Sequence, residues 1–133
     1  MIRHKILDMA EGRAQEFAHE DNDCTVWAIA TASGMPYSAA HRLLQQHGRI
    51  DGNRFPTGQF LALMGNRLCN YTVRSIAVPF VATLNQVAKT YPHGRYIVRT
   101  KRHVLALIDG VVHDTAPCGA RKRVSRIWEL RPI

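Results

Sequence analysis

The chain is poor in cysteine, in acidic residues and in long apolar runs, and each shortage removes a class of protein. Three cysteines, Cys24, Cys69 and Cys118, stand far apart among 133 residues. An odd, scattered set of this kind argues against a disulfide framework and suits a reducing compartment. No CxxC pair occurs, so a structural zinc site has no ligand pattern to rest on, and neither a metal nor another cofactor is expected. No apolar stretch nears the ~20 residues that cross a bilayer. The basic start Met1-Ile2-Arg3-His4-Lys5 runs into Asp8 and Glu11 instead of the apolar core of a leader peptide. A cytoplasmic protein with no membrane partner is the expectation. Repeats, linkers and low-complexity tracts are also missing, which predicts one domain over residues 1–133. A chain of this length buries roughly two thirds of its unfolded surface, enough for a core without staples.

Acid is outnumbered: 10 Asp and Glu against 18 Lys and Arg leave a net charge of +8. Such an excess favours nucleic acid and other polyanions as partners. Most of the cations are scattered, which describes a solvated basic surface. Only Lys101-Arg102 and Arg121-Lys122-Arg123 cluster, and Arg121, Lys122 and Arg123 are the candidates for contact with nucleic acid or with a host protein.

What is present is ordered as helices first and strands afterwards. A weak helical pattern over Glu11 to His19 ends in the polar run Glu20-Asp21-Asn22-Asp23. Asp23 or Asn22 is the expected N-cap of a helix that begins at Cys24 and is apolar nearly all round, hence central and buried. Gly34 ends it and Pro36 prevents its continuation. Ser38 is the expected cap of a second helix through His47. Residues 49–56 are rich in turn formers, and Thr57 opens a third helix carrying Phe60, Leu61, Leu63, Met64 and Leu68. A strand over Tyr71 to Val78 and a short helix capped by Thr83 follow. The remainder reads as strand: Arg95 to Thr100, His103 to Ile108, Val111 to His113 and Val124 to Leu130. Asp109-Gly110 between two apolar runs predicts a two-residue hairpin, since a type I′ turn needs positive φ at both positions. The fold class is α+β, helices followed by an antiparallel meander.

Cys24 and His103 carry the reactive chemistry. A thiol is a poor nucleophile until it ionises, and a helix N-terminus and a nearby imidazolium both lower its pKa. Cys24 has the first. Glu20, Asp21 and Asp23 oppose it by like charge, so a histidine must supply the stronger effect. Paired across the Asp109-Gly110 turn, 108 faces 111, 106 faces 113 and 105 faces 114. Asp114 then lies diagonally beside His103 on one face, within reach to hold its imidazole tautomer. His113 points to the other face and Asp109 sits too far away in the turn. The amide of Cys24 is one natural oxyanion donor, and Asn22 is the nearest amide side chain to supply a second.

The stretch from Asn22 to Tyr37, Gly94 to Arg99, and His103 to Thr115 with the closing strand to Trp128 resemble small papain-like proteins of bacteriophages and prophages. Bacteriocin-processing peptidases are more distantly similar. The resemblance implies a papain-like α+β fold with the nucleophile helix packed on a C-terminal antiparallel sheet. It also implies Cys24 as nucleophile, His103 as base and Asp114 as orienting residue. The function expected on that ground is a phage-derived, cysteine-dependent hydrolase, peptidase or amidase, acting on a peptide or protein substrate in the host cytoplasm. The alternative keeps the fold without catalysis: a binder that occupies a host protein or nucleic acid through its basic surface.

Overall fold

The turn at Asp109-Gly110 is the point from which the sheet grows. Both residues adopt positive φ, 49° and 76°, as a type I′ hairpin turn requires. The Asp109 carboxylate accepts from the Gly94 amide at 2.9 Å, fastening the hairpin tip to the start of a neighbouring strand. The computed structural model describes residues 3–6, 22–78, 82–115 and 121–133. The expected helix at Glu11 to His19 and the residue Cys118 lie outside them.

Among the described residues seven strands form one sheet: β1 (Arg3–Ile6), β2 (Arg67–Leu68), β3 (Tyr71–Ile76), β4 (Arg95–Thr100), β5 (His103–Ile108), β6 (Val111–Asp114) and β7 (Val124–Pro132). Their order is β1-β6-β5-β4-β7-β3-β2. The pairs are antiparallel except at the edge, where β1 lies parallel to β6. Ile108 pairs with Val111 and Ala106 with His113, the register expected from the turn. The sheet is not a simple meander, because β7 inserts between β4 and β3.

The described helices that flank it are α1 (Cys24–Ser33), α2 (Tyr37–Gln46), α3 (Thr57–Leu63) and α4 (Leu84–Thr90). Strand alternation sorts two cores. Ile97, Val104, Ala106, Trp128 and Leu130 face α1, α2 and α3 around Val26, Ile29, Leu44 and Phe60. Tyr96, Val98, Leu105, Leu107, Val112 and Ile127 face α4. The arrangement is therefore α+β, with α1 buried against the sheet along most of its length. Among the described residues no helix is long and apolar enough to cross a membrane.

Gly34, at φ 78°, ends α1 in the left-handed conformation that only glycine adopts without cost. Arg95 completes that end, donating to the carbonyls of Thr31 and Ala32 at 3.4 and 3.1 Å. At the other end Asp23 does not cap through its side chain. Its carboxylate is buried and accepts from Trp27 Nε1 at 3.1 Å and from Tyr37 Oη at 2.7 Å, tying α1 to α2. The second helix begins at Tyr37 behind Pro36, one residue before the expected Ser38 cap. The third stops at Leu63, short of the expected Leu68. Gly65 and Asn66 take positive φ, which breaks the helix and lets Leu68 pair with Tyr71.

Candidate functional site

Two features meet at the end of the sheet where β4 turns into β5: a cysteine–histidine–aspartate cluster and a set of arginines. His103 is the first residue of β5 and Asp114 the last of β6, so adjacent strands deliver both to the same end. Asp114 is 2% exposed, and its Oδ1 lies 2.6 Å from His103 Nε2 while also accepting from the Thr115 amide. Cys24, at the head of α1, lies beside the ring in the same cleft and interacts with it. Asp114 above all, and Cys24 after it, raise the His103 pKa from 6.5 to about 9 against the opposing effect of burial. Burial pushes the Cys24 thiol up. The hydrogen bonds from His103 and from the Val104 amide, with the charges of His103 and Arg54, outweigh that and lower it on balance. The arrangement favours the charged forms of both groups, a thiolate beside an imidazolium, over what either would show alone. Asp23, expected to oppose thiolate formation, spends its carboxylate on Trp27 and Tyr37 instead.

A cleft of about 210 Å³ opens over Cys24 and His103, lined also by Arg54, Phe55, Arg99 and Arg102. Thr25 sets one wall by bonding the Phe55 carbonyl and the Thr57 hydroxyl, each at 3.1 Å. Arg54 reaches across to the Arg102 carbonyl at 3.3 Å. Arg102 itself holds φ 61°, uncommon for a residue with a side chain. A second groove shares Arg99 and Arg102 and adds Lys101, Arg123 and Arg126. Arg99 and Arg126 are direct register partners on β4 and β7, with both side chains exposed. Like charges facing each other across a strand pair destabilise it. Arg126 is steadied by stacking 4.8 Å over the Trp128 ring.

Cys24, His103 and Asp114 are thus brought together. Asn22, expected as an oxyanion donor, gives its amide to the Gly52 carbonyl at 2.9 Å and lines no part of the cleft. Of the expected basic run, Arg123 lines the second groove, whereas Arg121 and Lys122 are exposed beside it. Arg54, Arg99, Arg102 and Arg126 were not singled out as a group by sequence, because four separate segments contribute them. Among the described residues no group of three His, Cys, Asp or Glu is placed to hold a metal.

Residues 16–46 match the IclR helix-turn-helix domain, well under half of the chain. No curated protein and no solved structure matches it. Within the matched span, α1 and α2 are joined by the three residues Gly34-Met35-Pro36, a turn of the length found in a helix-turn-helix. The match overturns the resemblance to papain-like peptidases, and with it the expectation of a cysteine hydrolase with a catalytic triad. The physical reason lies in residues 22–46. A buried apolar helix, a glycine stop and an amphipathic second helix satisfy both patterns, so that stretch cannot by itself identify a nucleophile helix. The match points to a nucleic-acid partner and gives no support to a peptide substrate or a host-protein target.

Proposed function

We propose that the chain is a DNA-binding regulator in which α2 meets the duplex and the arginine-lined groove holds the phosphate backbone. The observation that carries this reading is the helix-turn-helix match over residues 16–46. It is supported by the surface of α2. Tyr37, Ala40, His41 and Leu44 are buried, whereas Arg42, Gln45 and Gln46 are exposed, and arginine and glutamine are the side chains that pair with guanine and adenine edges in a major groove. A second support is the opposed pair Arg99 and Arg126, whose mutual repulsion is relieved when a phosphate bridges them. On this reading the protein works in the cytoplasm beside its nucleic acid.

The test is selection of duplexes from a random pool by the full chain, followed by anisotropy titration. An enriched sequence should emerge. Gln45→Ala or Gln46→Ala should lose discrimination at a base pair, roughly 5- to 150-fold, from ~1–3 kcal/mol per good contact. Arg126→Ala should weaken all sequences alike. A pool that enriches nothing, together with binding indifferent to added salt, refutes the proposal.

A further inference from the structure

The cleft over Cys24 is not required for α2 to meet DNA, although it shares Arg99 and Arg102 with the neighbouring groove, and its construction is specific. At its floor stands a thiol whose neighbours favour the anion: the His103 ring, the Val104 amide and the positive charge of Arg54. Arg54, Arg99 and Arg102 line it, and among the described residues no acidic side chain does. Phe55, Pro56 and Val104 supply the apolar part of the wall. About 210 Å³ is smaller than a pocket for a drug-sized ligand and suits a short organic group. Cys69, the other free thiol described, is exposed and lies far along the chain, between β2 and β3.

We infer that Cys24 is a modification site for small anionic disulfides, which the three arginines select and the cysteine–histidine pair captures as a mixed disulfide. The Cys24 thiolate attacks one sulfur of the disulfide. A new sulfur–sulfur bond forms, the old one breaks, and the departing thiolate takes the proton from the His103 imidazolium. One disulfide is consumed and one is made, so no further oxidant is required. A carboxylate-bearing disulfide fits the cleft better than peroxide, since an uncharged oxidant gains nothing from three guanidinium groups. His103, left neutral, keeps its bond to Asp114. The site stands whether or not α2 binds DNA.

Two reagents test it on the intact chain: dithiobis(nitrobenzoic acid), an anionic disulfide, and dithiodipyridine, a neutral one. Rates are followed by the released thiol and assigned to each cysteine by peptide mass. With the anionic reagent Cys24 should outpace Cys69 by at least about 10-fold, since a cleft of one sign concentrates the opposite charge by roughly 10- to 1000-fold. Arg54→Gln and Arg102→Gln, both at exposed positions, should lower the anionic-to-neutral rate ratio at Cys24. His103→Gln should slow both reagents and leave that ratio in place. Cys24 reacting no faster than Cys69, or a ratio unchanged by both arginine variants, overturns the inference.

Discussion

Asp114 and Cys24 both act on His103, and their influence predicts how stability responds to pH. His103 is raised from 6.5 to about 9. The stabilisation this brings is complete below pH 6.5 and is lost as pH climbs through about 9. Cys24 is lowered from 9.0, so its contribution is present above pH 9 and is lost as pH falls through the folded value. Below pH 9 the thiol's slope opposes that of the imidazole, so the parent chain should lose less stability with rising pH than His103 alone would dictate. Cys24→Ala removes the thiol's share, while Asp114, the larger influence on the ring, keeps His103 raised. That variant should lose stability with rising pH more steeply than the parent. Where the ring is protonated in the folded chain alone, the loss approaches about 1.4 kcal/mol for each step of one in pH. Urea midpoints measured across this window check it, and parallel curves for the two chains contradict it. The neighbourhood of His103 and Asp114 was legible in sequence because a two-residue turn sets hairpin register rigidly. Asn22 was not, since its partner, the Gly52 carbonyl, is thirty residues away and no local rule points to it.

Elements were legible wherever punctuation was strong. Gly34 and Pro36 bound the turn between α1 and α2, and Thr83 with Gln86 forms the capping box that starts α4. The edge strand β1 escaped notice. Its Arg-His-Lys-Ile sequence lacks the alternation of a half-buried strand, and its pairing is parallel to a strand over a hundred residues later. The juxtaposition of Arg99 with Arg126 escaped for a related reason: the β4–β7 register is long-range and carries no turn signal. That pair separates folding from binding. Arg99→Thr removes one of two facing charges and installs a residue that suits strands. It should leave stability unchanged or raise it by a few tenths of a kcal/mol, while DNA affinity falls several-fold. Thermal melts and anisotropy on the same preparation check this. A variant that melts much lower would mean that Arg99 serves the fold, not a ligand.

At the scale of the molecule the question is whether anions are held by the groove or by the whole +8 surface. The cations of the groove come from the end of β4, the β4–β5 turn and both sides of the start of β7, and the insertion of β7 beside β4 gathers them. Composition reveals the excess charge but not its grouping. If Arg99, Lys101, Arg102, Arg123 and Arg126 all meet phosphates, the logarithm of the DNA association constant should fall with the logarithm of salt at a slope near −4 to −5, about −0.9 for each phosphate neutralised. The double variant Arg123→Glu, Arg126→Glu should then reduce that slope by about 2, because two counterions are no longer released. A diffuse field predicts otherwise. Reversing the exposed Arg67 and Arg74, on β2 and β3 and absent from the groove, changes net charge by the same amount and should then weaken binding equally. Titrations of both double variants at several salt concentrations decide the matter: a flattened slope in the groove variant alone assigns the contact to the groove, and equal effects assign it to the surface as a whole.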